Sequence, residues 1–288
     1  MDNRGEDGMF PGRISLRTKP EIKRESVFWR AWQDMMEEEC HRHSVWSSRF
    51  CGALLNEDSQ PALLFALSAV WSVNMVAGSY CFPRYVAALA ARAEEDAVRY
   101  GLLENAWDES GSFGHTSRSH FWLAVRLARL LGFSDIEIET VRPLPEAVEY
   151  TDEHYRCCSE SDFAHGLGMI CLIEEFTTPE FTMVFRAFLR SCGYGLGMAS
   201  HDFVLKGGAE YFTANIADDE RHRLEMPALV ASWLLMRGVD LADPRKVAAG
   251  LDPVRRGVKH SVELRARFFE GIYSYVEGGG GIRALASR

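Results

Sequence analysis

Between Pro61 and Pro83 the chain reads ALLFALSAVWSVNMVAGSYCF, 21 residues without one charged side chain. A helix of that composition has no face suited to water, so it either crosses a bilayer or lies inside a protein. Ser68, Ser72, Asn74, Ser79 and Tyr80 interrupt the run, and no basic cluster flanks it. A lone span is a poor fit to a chain that is otherwise a series of amphipathic helices. The stretch is therefore read as a central helix enclosed on all sides, and no membrane partner is expected.

At 288 residues the chain can bury roughly three-quarters of its unfolded surface, enough for a core that needs no staples. Length alone does not choose between one large domain and two small ones. A net charge of −9 argues against a nucleic-acid partner, since nothing concentrates enough Lys and Arg to neutralise phosphates. Seven cysteines, with no CxxC and mostly within apolar runs, read as reduced, buried residues of a cytoplasmic protein. The start, MDNRGEDGMFPGR, has no apolar segment and is not a signal peptide.

Apolar residues recur at helical spacing almost throughout. Residues 1–19 are polar, rich in Gly and Arg, and expected to be a disordered arm. Helices are expected over Pro20–Cys40, His41–Leu55, the uncharged 62–82 ended by Pro83, Arg84–Asp108 and Thr116–Leu131. Three more follow at Leu144–Cys158, Phe163–Glu175 and Phe181–Cys192, and then Ala209–Met226. Pro227 suits the first turn of a helix to Met236, and Asp252-Pro253 opens a last one to about Val276. Asp135–Val141 is the one weak strand candidate, and 277–288 is expected to be a flexible tail. The expectation is an all-α fold, a single helical domain of about ten helices over 20–276.

No Walker or Rossmann phosphate loop and no GxSxG occurs, and no Ser or Cys stands out as a nucleophile. What remains is carboxylates and histidines set in apolar helices, where an unpaired charge is costly. In Ala209–Met226, Asn215, Asp219 and His222 fall at i, i+4 and i+7 on one helical face. A carboxylate and an imidazole on neighbouring turns can present two ligands to a metal, although taken alone an exposed acidic turn is the simpler account. Glu174 and Glu175 close the run FAHGLGMICLI, so at least one should be buried and need a partner. The face leading to Glu175 carries Ala164, Gly168 and Cys171, small residues that leave room for a cavity. His120 lies on an otherwise small and apolar face, and the preceding turn brings Glu109 back toward it. His115 falls off that face. Glu38-x-x-His41 meets half of a ferritin-like pattern, but lies in the polar stretch EEECHRH.

Five segments together carry a resemblance. They are His43-Ser-Val-Trp with Phe50-Cys-Gly, Phe82-Pro83 with Leu102-Leu-Glu-Asn-Ala-Trp-Asp-Glu-Ser-Gly111, and His120-Phe-Trp. The other two are Gly166-Leu-Gly168 leading to Glu174 or Glu175, and Tyr211-Phe212 with Asp219 and His222. In this order and spacing the chain, from about His41 to His222, resembles the haem-oxygenase-like diiron oxidases and oxygenases. Those are helical proteins related in fold to thiaminase-II and pyrroloquinoline-quinone synthase.

The resemblance implies a haem-oxygenase-like bundle and a metal set of Glu109, His120, one of Glu174 and Glu175, Asp219 and His222. It also implies Fe(II), one ion or two, with O2 as co-substrate. Three carboxylates and two imidazoles suit that chemistry. The activity implied is oxidation of a small metabolite, an amino acid or similar, often in natural-product biosynthesis, by a protein that commonly forms a homodimer. Asn215 stands where the family's pattern has a histidine. The segment from Arg190 to Gly208 looks like an insertion, and its His201 is a possible substitute ligand. A metal-free enzyme or binding protein with a degraded site, and a helical scaffold with no site, are the alternatives.

Overall fold

Other helices cover most of the uncharged stretch in the computed structural model, which describes residues 22–111 and 119–286. The expected arm, 1–19, lies outside the described residues. Helix α1 (Val27–Met36) leads through a π-turn and a 3₁₀ turn into α2 (Arg49–Leu55), and the uncharged run lies within α3 (Pro61–Arg92). Then come α4 (Asp96–Glu109), α5 (His120–Leu130), α6 (Asp135–Thr140), α7 (Pro145–Glu160) and α8 (Phe163–Gly195). The chain ends with α9 (Ser200–Leu205), α10 (Glu210–Met236), α11 (Pro244–Glu277) and α12 (Ile282–Ala286). Among the described residues there is no strand, so the all-α expectation holds with twelve α-helices instead of about ten.

The long helix α8 is the axis of the bundle, packed against α11, α3 and α10. At 33 residues it is about 50 Å long. Its N-terminus is fixed by Asp162, whose carboxylate accepts from the backbone N–H groups of Ala164 and His165. Leu167, Ile170, Leu172, Phe176, Val184 and Phe188 on α8 are fully enclosed, as are Leu67, Val70, Trp71, Val86 and Leu89 on α3. By length and composition α3 is the one described helix able to cross a membrane, yet most of it is covered by protein. Asn74, buried within it, spends its amide on two backbone groups, donating to the Val70 carbonyl and accepting from Leu144 N.

Proline is where the sequence misleads. Pro83 does not end a helix, Pro227 does not begin one, and the expected break before Phe181 is absent: α3, α10 and α8 run on through Pro83, Pro227 and Pro179. Likewise α11 begins at Pro244 and passes through Pro253. An interior proline costs a helix about 3 kcal/mol, through one lost hydrogen bond and the clash of its ring with the carbonyl of the preceding turn. Helices enclosed on several sides recover more than that from packing, so tertiary burial overrides the local signal.

Asp135–Thr140 is helical, not extended, because Ser134 and Glu137 form a capping box across its first turn. Gly168 does not open a cavity either. A Cβ there would stand 2.0 Å from the Val254 carbonyl oxygen, so its missing side chain lets α11 approach the α8 backbone. The stretch expected to be a loose tail docks in part, with Leu285 buried and Arg283 bonded to Glu137.

Candidate metal centre

Glu109 is the last residue of α4 and His120 the first of α5. They are brought together by a pinch in the chain at Gly111, whose φ of +89° suits only glycine. A Cβ on Gly111 would lie 2.7 Å from the Ser119 backbone nitrogen, so the absent side chain lets the two ends of the connection touch. Glu174 comes from the middle of α8. Asp219 and His222 come from one face of α10, where helical spacing placed them. All five side chains are buried, none more than 4% exposed.

These five converge. His120 Nδ1 lies 2.6 Å from Glu109 Oε2, and His222 Nδ1 lies 3.4 Å from Glu174 Oε2 and 4.0 Å from Glu109 Oε1. Donor atoms of Glu109, Asp219 and His222 all fall within 4.8 Å of one another. Glu109 thus offers one oxygen to each half of the cluster. Yet Glu109 Oε1, His120 Nδ1, Glu174 Oε2, Asp219 Oδ2 and His222 Nδ1 are all buried without a hydrogen-bond partner among the described residues. His120 Nδ1 and Glu109 Oε2 are close but lack the alignment of a hydrogen bond. Buried polar atoms are rarely left in this state, and here each of five residues contributes one, all aimed into the same space.

A surrounding set holds the five in place. Asn105 Nδ2 donates to Glu174 Oε1 at 2.6 Å. Each imidazole turns Nδ1 inward and sets its other nitrogen against a carboxylate: His120 Nε2 is 3.2 Å from Asp218 Oδ2, and His222 Nε2 is 3.5 Å from Asp108 Oδ2. That arrangement fixes ring orientation in metal sites. Arg221 grips Asp108 and also comes within 3.0 Å of His222 Nε2. Asn105, Asp108 and Asp218 escaped the sequence reading as functional residues. Asn105 and Asp108 stand in the L-x-x-N-x-x-D-E segment beside Glu109, which was their available signal.

The charges explain the protonation. Burial, and then the charges of Glu174 and Glu109, hold the Asp219 carboxyl well above the ordinary carboxylate range. For His222 burial opposes the cation, but Glu174 and Glu109 together outweigh it and the pKa is pushed up to about 9. At His120 burial is likewise outweighed by Glu109 and by Asp218, which hold it well above its ordinary value. Metal-free, the cluster therefore keeps protons that a cation would displace.

Of the alternatives at 174 and 175, Glu174 joins the cluster. Glu175 turns the other way, to His41 Nε2 at 3.1 Å and Arg223 at 3.6 Å. Asn215 is buried beside Asp219, with Nδ2 donating to the Tyr211 carbonyl, and its side chain lines the adjoining pocket. His201 does not substitute for it: it is 73% exposed on α9 and pairs with Asp202. His115 lies outside the described residues.

A narrow pocket adjoins the cluster, with Glu109, Asp219 and Asn215 among its lining residues. Met75, Phe82, Ile173 and Phe181 form apolar walls, and Tyr150 and Arg265 lie farther along it.

Three carboxylates and two imidazoles around an anionic, partner-poor space fit iron, whose preferred donors are of this kind. Comparison with known proteins agrees. The chain is similar over 86% of its length to 92% of a domain of unknown function with a haem oxygenase-like fold from Shewanella denitrificans OS217, at 14% identity and a TM-score of 0.59. No curated protein matches. A family model described as iron-containing redox enzyme matches residues 69–243, more than half of the chain and a span holding all five cluster residues. The chain belongs to that family of iron-containing redox enzymes and has a haem-oxygenase-like fold.

Proposed function

We propose that this protein is a nonhaem iron oxidoreductase that uses O2 to oxidise a small metabolite, an amino acid or similar, as a step in natural-product biosynthesis. The observation that carries the reading is the set of five orphaned donor atoms, one from each of Glu109, His120, Glu174, Asp219 and His222. Those residues would hold the iron, with Glu109 able to serve both halves of the centre. Iron, when bound, supplies the electrons that make O2 reactive.

The chain's own residues do the rest. Asp218 and Asp108 orient the two imidazoles, and Asn105 holds one oxygen of Glu174 so that the other points into the centre. The Asn215 amide, tied through Nδ2 to Tyr211, leaves its oxygen as the weaker donor where an imidazole would complete the His120 half. One iron on the Glu174–Asp219–His222 side and a more loosely held second one follow from that asymmetry. The apolar pocket walls exclude water from a substrate, and the Arg265 and Tyr150 end supplies polar contacts away from the centre.

Anaerobic titration of metal-free protein with Fe(II), followed by metal analysis, tests the reading. Stoichiometric binding and O2 consumption with a small amino or carboxylic acid are expected. Protein that takes up no iron and consumes no O2 across such substrates would overturn it. Asn215→His should raise iron stoichiometry if the other ligands are as proposed.

A further inference from the structure

A second cluster with ligand chemistry lies near the N-terminal end of α8, at His165, nine residues before Glu174 and so about 13 Å from it along the helix. Cys157 on α7, His165 on α8 and His260 on α11 present Sγ and two ring nitrogens that all fall within 4.8 Å of one another. His165 Nε2 is 3.1 Å from His260 Nδ1, and Cys157 Sγ is 3.9 Å from that same nitrogen. Bonds of about 2.0 Å to nitrogen and 2.3 Å to sulfur at tetrahedral angles put N and N roughly 3.3 Å apart and N and S roughly 3.5 Å apart. The two measured separations, 3.1 and 3.9 Å, already stand near those values.

We propose that Cys157, His165 and His260 form a second metal site, for a thiophilic divalent cation of the zinc type. One thiolate and two imidazoles are a zinc donor set, distinct from the oxygen-rich set of the iron centre. Two independent features point the same way. His260 Nε2 is 3.5 Å from Glu153 Oε1, a carboxylate that favours a ring hydrogen on Nε2, while Nδ1 faces Cys157 and His165. It is the arrangement already seen at His120 and His222.

The three helices are also held together at this point by absent side chains. A Cβ on Gly257 would stand 2.0 Å from the His165 carbonyl oxygen, and one on Gly166 would stand 3.1 Å from the Cys157 carbonyl oxygen. Backbones that close set the three donors against each other before any cation arrives. Cys157 is fully buried while His165 and His260 are half-buried, so the sulfur is shielded and the site opens to solvent through the imidazoles. Three protein ligands leave the fourth position to water. Glu153, held by Arg156, is a positioning residue.

Titration of reduced, metal-free, full-length protein with Co(II) tests the site. Cobalt bound to a thiolate gives a near-ultraviolet charge-transfer absorption that oxygen and nitrogen donors do not, so this band is silent to the iron centre. The band is expected to saturate at one equivalent and to be lost in Cys157→Ser. His260→Ala, at a side chain 27% exposed, should remove or weaken it, with helical circular dichroism confirming that the variant is folded. Glu153→Gln should lower cobalt affinity about 10- to 100-fold. Cys158→Ser, at a neighbouring buried thiol that bonds the Gly166 carbonyl, should leave it unchanged. Absence of the band in the wild-type protein, or its persistence in Cys157→Ser, overturns the proposal.

Discussion

Six residues apart on α8, Glu174 and Glu180 are both fully buried carboxylates, and the protein treats them in opposite ways. Glu180 meets a cation: Arg265 donates to its Oε1 at 3.1 Å and Trp71 Nε1 donates to the same atom at 2.6 Å. Arg265 in turn donates to the Tyr150 hydroxyl and lies over the Tyr150 ring. Glu174 meets more anions. Glu109 and Asp219 share its space, and the only positive charge directly among the five comes from protons held on His120 and His222. One oxygen of Glu180 and the Arg265 Nε also lack partners, but that charge is balanced within the chain. A buried cluster with its own counter-ion is finished when the chain folds. One made of carboxylates and imidazoles is finished only by a cation from outside.

The largest effect should come from breaking the finished cluster. Arg265→Met strands Glu180 in the core, and loss of one partner of a buried pair costs about 3–5 kcal/mol. Urea unfolding of the metal-free protein should show that loss. Adding Glu180→Leu should recover most of it. If the single variant is no less stable, the contrast with the iron centre fails at this end.

At the other cluster the same kind of change should have the opposite sign. Asp219→Asn removes a buried carboxyl on which burial and the charges of Glu174 and Glu109 outweigh that of His120, and should stabilise metal-free protein by about 1–4 kcal/mol at neutral pH. Because the folded state holds that carboxyl well above its ordinary pKa, its contribution is favourable at low pH and lost as pH rises past about 4. The gain from Asn should therefore shrink on acidification, and the variant should no longer retain iron. A destabilised metal-free Asp219→Asn would mean that the carboxyl has a structural partner.

A smaller effect tests the surrounding set. Asn105→Ala frees one oxygen of Glu174 without touching any candidate ligand, and should weaken iron binding about 10- to 100-fold. Competition with a chromophoric chelator measures it. Thermal unfolding of the metal-free form should shift far less than for Arg265→Met.

How much of this was legible in the sequence differs between fold and site. The helical class was, because apolar spacing and an uncharged run are properties of the chain itself. Helix ends were not: Pro83, Pro227 and Pro253 read as punctuation and the break expected before Phe181 holds Pro179, yet all four lie inside helices, since the burial that carries them is a property of the packed bundle. At the site, Asp219 and His222 share a face by helical periodicity alone. The pairing of Glu109 with His120 depended on a turn that Gly111 makes possible. The orienting roles of Asp108 and Asp218 were hidden, because a charged residue beside a ligand reads as solvated surface until the partner helix is seen. His201 failed for the converse reason, since its place in the chain says nothing of the exposed face it occupies on α9.

The smallest expected effect decides between the adjacent pair that spacing could not separate. Consecutive residues on a helix point about 100° apart, so only one of Glu174 and Glu175 can face the centre. Glu175 instead reaches His41 and Arg223, side chains that are 40% and 30% exposed, so its ion pairs are screened by water. Pairs of that kind contribute about 0–1 kcal/mol. Glu175→Gln should therefore cost under about 1 kcal/mol and leave iron stoichiometry unchanged, whereas Glu174→Gln should reduce iron binding with little loss of metal-free stability. Iron analysis of the two variants side by side gives the answer, and iron lost from the Glu175 variant with iron kept in the Glu174 variant would reverse the assignment.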